Sequence, residues 1–146
     1  PESFDLEQFY KHLSSLKTMV KMPWPVYDRT IHEPRDKGTW IYADIVLIEG
    51  NYLLLDEEYW DDFAKLCDYS IFIRVDEEDV RERLIARKSK GGLAREQAEA
   101  HYERCDGPNV RRILEHVCAH DEGYRLVEKD GVSSLVPEEG TEVSHG

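Results

Sequence analysis

The chain carries 31 acidic residues against 19 lysines and arginines in 146 positions, a formal charge of −12. A balance this acidic excludes a broad face for gripping a phosphate backbone, so nucleic acid is not an expected partner. With 40% hydrophobic residues and 10% aromatics the sequence is too apolar for a disordered acidic chain, and its longest apolar runs, at 45–48 and 52–55, fall far short of the roughly 18 residues a membrane span requires, so no membrane partner is expected either.

The length fits one domain with a core. Cys67, Cys105 and Cys118 are odd in number and lack C-x-x-C spacing, which argues against a disulfide framework or zinc knuckle and for a reducing, cytoplasmic setting. The sequence begins at Pro1 with no Met and no signal-like stretch, the pattern of a processed, truncated or partly reported polypeptide.

In chain order, Asp5 predicts a helix cap, with Gln8 completing a capping box and Phe4 stapling onto Phe9. Leu6, Phe9, Tyr10, Leu13 and Leu16 place an apolar stripe on a helix ending near Lys17. The prolines in Met22-Pro23-Trp24-Pro25-Val26-Tyr27-Asp28 force an extended arm, and 29–38 reads as a loop. Asp44-Ile45-Val46-Leu47-Ile48-Glu49-Gly50 has the composition of a strand buried on both faces, as in parallel α/β sheets. A helix is expected over 56–66, a second strand over 69–75, and a helix capped by Asp76 that turns Val80, Leu84 and Ile85 inward. A break at Gly91-Gly92 precedes a helix over 94–119, kinked at Gly107-Pro108. The flanks of Lys129-Asp130-Gly131 read as a hairpin, and 137–146 as a flexible acidic tail. Strand, helix, strand, helix is the α/β alternation.

Three features carry candidate chemistry. Glu49 follows an apolar strand, at the end where open α/β sheets place ligands, and a carboxylate there can hold Mg²⁺ against nucleotide phosphates; the plain alternative is an exposed strand-ending acid. Between Arg81 and Arg95 stand six bases, Arg81, Arg83, Arg87, Lys88, Lys90 and Arg95, against Glu82 alone, a net of +5. Beside a Gly-Gly hinge they suit a lid closing over a polyphosphate, or else a solvated helix face. Finally, Tyr27, Asp28, Arg29 and His32 combine a stacking ring, a hydroxyl acceptor and an anion partner, although such a trio is also ordinary surface. Cys105 reads as an inert thiol, and His101, His116 and His120 as surface histidines.

Taken in order, Pro1-Glu2-Ser3-Phe4-Asp5, Pro25-Val26-Tyr27-Asp28 with His32, Val46-Leu47-Ile48-Glu49-Gly50-Asn51, Val75-Asp76 leading into Arg83-Leu84-Ile85-Ala86-Arg87-Lys88, and Tyr102 with Pro108-Asn109 resemble the uridine kinase, phosphoribulokinase and pantothenate kinase group of P-loop phosphotransferases, over about residues 1–118. The resemblance implies a P-loop NTPase-like three-layer α/β sandwich with a mostly parallel sheet, incomplete here. Residues 1–120 would form the carboxyl-terminal part of a kinase-like domain, comprising substrate wall, Walker B-like strand and lid, with 121–136 a terminal strand or hairpin. It implies ATP and Mg²⁺ as cofactors and a small nucleoside, sugar or pantothenate-like alcohol as substrate. Asp5 matches the acid on substrate hydroxyls, and Tyr27 with His32 the pair on the nucleobase, with Asp28 beside them. Arg29 departs from the nucleoside kinase pattern, which puts uridine itself in question. Glu49 matches the Mg²⁺ carboxylate, Arg83 and Arg87 the bases that meet the nucleotide, and Arg87 and Lys88 the lid bases at the transferred phosphoryl. Arg104 and Asn109 are carried as substrate or nucleotide contacts.

The Gly-x-x-x-x-Gly-Lys-Ser/Thr loop and the acid that activates the substrate hydroxyl have no counterpart in the sequence, and the resemblance places both upstream of Pro1. Without the P-loop strand, the strands ending at Glu49 and beginning at Tyr69 would be separated by a gap of about 10 Å with unpaired edges. The expected partner is therefore an amino-terminal P-loop segment, in cis or from another chain, with a homodimer as a further assembly; 146 residues alone would be inactive. A non-catalytic binding module on the same scaffold is the alternative.

Overall fold

Asp5 sets the first element: its carboxylate accepts from the Gln8 N–H at 3.0 Å and caps α1 (Leu6–Leu16), which ends on Lys17 as its apolar stripe predicts. The computed structural model describes residues 5–19, 21–28, 33–34 and 38–138, with 27–28 and 33–34 described for the backbone alone. Phe4, half of the expected staple, and the tail from 139 onward lie outside the described residues. The chain divides into two units, Pro1–Gly50 and Asn51–Gly146.

In the first unit α1 buries Leu13. The proline-rich arm is extended as expected, and it pairs: β1 (Met22–Trp24) runs antiparallel to β4 (Thr39–Ile41), and β2 (Tyr27–Asp28) to β3 (Glu33–Pro34). Met22 is buried, the His12 ring meets Trp24 edge-on at 6.0 Å, and Lys21 Nζ sits 5.2 Å from the Trp40 ring centre.

The expected Walker B-like strand does not form. Residues 45–48 are irregular backbone, with Ile45 88% and Leu47 92% exposed. Apolar composition favours such a strand only where ladders on its sides satisfy its N–H and C=O groups, and among the described residues no strand pairs with this one.

In the second unit the helix expected over 56–66 shrinks to α2 (Asp61–Ala64). Tyr59 stands at φ 72, a left-handed conformation that interrupts a helix of L-residues. Tertiary contacts hold the segment there: Leu55 bridges Val117, Cys118 N–H donates to Leu54 O at 2.8 Å, and Asp56 N–H to His116 O at 3.0 Å. Leu55, Trp60 and Phe63 are buried. Arg112 clamps the turn through both oxygens of Glu57, Nε donating to Oε1 at 2.5 Å and Nη2 to Oε2.

That hydrogen-bonded guanidinium holds the Glu57 carboxyl below the usual carboxylate range. A depressed folded-state value stabilises above the unfolded value and is lost as pH falls through the folded one. Urea midpoints taken from about pH 6 to about pH 3 should therefore fall less steeply for Glu57→Gln than for the unaltered protein; identical acid limbs would remove Glu57 from the acid sensitivity.

β5 (Ile71–Arg74) pairs in parallel with β6 (Glu122–Lys129), which pairs antiparallel with β7 (Val132–Pro137). The expected hairpin closes through Asp130 (φ 54) and Gly131 (φ 75), the positive angles a two-residue type I′ turn requires. At the entry to the parallel pair, Asp121 Oδ2 accepts from Ser70 N–H at 2.7 Å and Ser70 Oγ at 2.6 Å. Along its other side β5 has no partner among the described residues.

Asp76 caps α3 (Glu77–Lys90) by accepting from Glu78 N–H at 3.0 Å, and Ile85 is fully buried. The expected kink is a wide turn: α4 (Arg95–His101) passes through a π turn at Tyr102–Asp106 into α5 (Gly107–Glu115), which ends four residues short of the helix expected to 119. Pro108 supplies the reason. It has no N–H for the carbonyl four residues back and its ring would strike that carbonyl, and the wider turn relieves both. Tyr102 is buried on Ile85 and Ala98, flush against Gly107, where an added Cβ would lie 2.9 Å from Tyr102 Cε1. Gly107→Ala should therefore destabilise by about 1–2 kcal/mol despite alanine's better helix propensity, because the methyl overpacks a buried ring; a urea midpoint at or above that of the unaltered protein would show that the ring yields.

Candidate functional site

The candidate lid is the helical hairpin of α3 and α4. Gly92, at φ +101, makes the turn that a β-carbon would strain, and Gly91 closes α3 with its N–H on Arg87 O at 3.1 Å. The +5 of this window is largely compensated by acids from beyond it. Arg81 meets Glu78, Glu82 and Glu103 at 3.5, 3.1 and 3.4 Å, Arg95 meets Glu82 and Glu99 at 3.1 and 2.9 Å, and Arg83 meets Glu128 of β6 at 2.7 Å.

Three bases of the candidate lid stand apart, among them Lys90, which is exposed and makes no ion pair among the described residues. Arg87 is exposed and makes no ion pair among the described residues. Lying four residues beyond Arg83, it shares the helix face that Arg83 turns toward β6. Lys88 lies instead on the face packed against the π turn, where its Nζ is 3.3 Å from Asp106 Oδ2 and its side chain is only 24% exposed. His101 Nδ1 approaches the same Oδ2 at 3.4 Å, so His101 is not the plain surface histidine that its spacing implied. Asp106, which no motif singled out, is the residue the sequence reading missed; a carboxylate next to Gly-Pro carries no pattern of its own.

A cleft of about 160 Å³ opens at the carboxyl end of β5, lined by Arg74, Val75, Asp76, Glu77, Leu114 and Arg125. Arg74 is anchored there by Glu138 at 2.9 Å and Leu114 O at 3.2 Å, and Arg111 by Glu77 at 2.8 Å. Arg125, in register with Arg74 on the neighbouring strand, makes no ion pair among the described residues. Ligands of open α/β sheets lie at this end.

The remaining sequence candidates separate. Glu49 is exposed on the irregular segment after 45–48. Asp5 spends one carboxylate oxygen on the cap of α1, leaving its other lone pairs for hydroxyls. Tyr27 and Asp28 form β2, and Arg29 and His32 lie outside the described residues. Asn109 Nδ2 donates to Cys105 O at 2.9 Å, stitching the π turn to α5, whereas Arg104 is exposed with no ion pair among the described residues. Cys67, Cys105 and Cys118 are free thiols, and no helix among the described residues is long and apolar enough to cross a membrane.

Comparison with known proteins gives concordant matches. The model of the Phosphoribulokinase / Uridine kinase family matches residues 1–107. The uncharacterized protein YggC of Escherichia coli is 46% identical over 114 residues, covering 78% of this chain and 48% of YggC. The uridine kinase of Borrelia duttonii is 30% identical over 118 residues, covering 79% of this chain and 55% of the relative. Among solved structures, a Silicibacter sp. TM1040 protein assigned as a fructose transport system kinase superposes with a TM-score of 0.79 at 30% identity, over 84% of this chain and 61% of that one. The chain thus spans about half the length of the curated relatives it matches, and its α/β architecture is that of an incomplete P-loop NTPase-like fold.

Proposed function

We infer the reaction from kinship, since this chain belongs to the Phosphoribulokinase / Uridine kinase family: the whole protein of which it is part transfers the γ-phosphoryl group of ATP to a hydroxyl of a small metabolite. The observation that carries this reading is the family match over 1–107, which takes in both Glu49 and the lid hairpin. The kinase-like character of the relatives supports phosphoryl transfer as the class of reaction; the acceptor is a nucleoside, sugar or pantothenate-like alcohol.

The chain's own residues divide the work. Arg87, exposed and without an ion pair among the described residues, is a lid base that can meet nucleotide phosphates, with Arg83 behind it on the same face; Lys88 delivers a compact charge to the transferred group. Asp5, Tyr27, Asp28, Arg29 and His32 are the acceptor contacts of this reading, and Arg104 and Asn109 are carried as substrate or nucleotide contacts. Glu49 is the residue that would hold Mg²⁺. A single exposed carboxylate, with no group of three or more His, Cys, Asp or Glu ligands among the described residues, fits an ion that takes most of its shell from water and nucleotide phosphates. When bound, the ion would offset charge on the transferring phosphoryl group.

The phosphate-cradling loop and the hydroxyl-activating acid come from the part of the protein that precedes these residues or from a partner chain. The uncovered apolar run at 45–48 supports completion by a further strand. Three free thiols fit a cytoplasmic setting. The test is a panel of nucleosides, sugars and pantothenate-like alcohols offered with Mg²⁺ and ATP to the full-length protein. Acceptor-dependent ADP release matched by a phosphomonoester is expected, and ADP release independent of every alcohol in a folded preparation would sink the reading.

A further inference from the structure

We propose that Asp106 is the positioning residue for Lys88, holding the lid ammonium in place until a phosphoryl group takes it over; this rests on the reading of Lys88 as the base at the transferred group. Lysine reaches its target on a flexible four-carbon stem, and an unanchored ammonium spends its entropy at the moment of reaction. Here the stem is mostly covered and the head is 3.3 Å from Asp106 Oδ2.

Asp106 is the acid available for this task. Glu78 and Glu103 are engaged by Arg81, Glu99 by Arg95, and Glu82 by both, and the ion pair that Lys88 makes among the described residues is with Asp106. The carboxylate owes its place to the π turn, which it closes immediately before Gly107-Pro108, and wide turns of this kind recur at functional positions.

The contact is also built to release. Asp106 Oδ2 is shielded from solvent yet makes no well-aligned hydrogen bond, either to Lys88 or to His101 Nδ1. A phosphate oxygen offers the ammonium a shorter, aligned, charge-assisted bond, so transfer to the nucleotide is favoured once the lid closes. When Lys88 leaves, His101 Nδ1 remains 3.4 Å from the same oxygen.

The experiment uses the full-length protein and the variants Asp106→Asn, Asp106→Glu, Lys88→Met and the double variant Asp106→Asn/Lys88→Met. Asp106→Asn is expected to lower kcat roughly 10- to 100-fold, the cost of a misplaced catalytic group, with KM for ATP nearly unchanged. Asp106→Glu should restore part of it. In the Lys88→Met background Asp106→Asn should cost nothing further; equal losses in both backgrounds would mean that Asp106 merely supports the fold, and would overturn the proposal.

A second readout needs no turnover. With lysines reductively dimethylated using ¹³C, which keeps their charge, the resonance assigned to Lys88 by its loss in Lys88→Arg should move in Asp106→Asn and stay in place in Glu103→Gln. An unmoved Lys88 resonance overturns the pairing whatever the activity. Unchanged turnover in Lys88→Met, with the resonance still responding to Asp106, instead overturns the catalytic reading of Lys88, and with it the positioning role, while leaving the pair itself standing.

Discussion

Glu49→Gln is expected to lower turnover of the full-length protein roughly 10²- to 10³-fold, the scale on which single preorganised electrostatic groups act in a transition state, while its thermal midpoint stays where it was. The substitution keeps the shape of the side chain and removes its charge, so it tests the proposed Mg²⁺ ligand rather than packing. Stability should not move because the Glu49 side chain is exposed and makes no hydrogen bond or ion pair among the described residues. Exposed substitutions away from caps and networks usually change stability by no more than about 0.5 kcal/mol. Steady-state kinetics with Mg²⁺ and ATP beside a melting curve separates the two effects. Turnover within twofold of the unaltered protein would take Glu49 out of the mechanism.

Tyr102→Ala should cost about 3–5 kcal/mol, the usual range for truncating a buried aromatic, and enough to leave a marginally stable domain largely unfolded. Tyr102 is 1% exposed, packs on Ile85 and Ala98, lies against Gly107 and carries the Arg81 guanidinium 5.8 Å from its ring centre. Its removal opens a cavity between α3 and the π turn, which would also scatter Lys88 and Asp106. Tyr102→Phe makes the contrast. The hydroxyl is buried without a hydrogen-bond partner among the described residues, so its loss removes an unsatisfied group and should be neutral or stabilising. Urea denaturation of both variants decides the matter. A Phe variant as damaged as the Ala variant would show that the hydroxyl has a partner the packing argument omits.

Much of the local structure is legible in the residues. Asp5 and Asp76 announce their helices because a short carboxylate at an N-cap satisfies backbone N–H groups wherever the chain goes next. Asp130-Gly131 announces its hairpin because its backbone angles suit two positive φ values. Pro108 announces a disturbed helix, although its ring chemistry does not say whether the result is a bend or a π turn. At Tyr59 the local pattern misleads: a helical run of aromatics is broken by contacts with 116–118, more than fifty residues away in sequence. The candidate site divides the same way. Motif order pointed to Arg87 and Lys88, but not to Asp106, and not to Glu103, Glu99 and Glu128 as the partners that compensate the other lid bases.

By itself the sequence determined the family, through motif order along the chain, and the acidic balance, through composition, together with the caps and turns and the break at Gly91-Gly92, each set by a residue and its near neighbours. Tertiary structure decided which bases of the +5 window remain unpaired, since charge compensation depends on distance in space, and there the acids come from up to forty-five residues away. It also decided the state of 45–48, whose apolar residues specify burial but cannot supply the ladders that a buried strand requires. The −12 of the whole chain is thus a poor guide to the proposed lid, where Arg87 and Lys90 are exposed without an ion pair among the described residues and Lys88 stands 3.3 Å from Asp106.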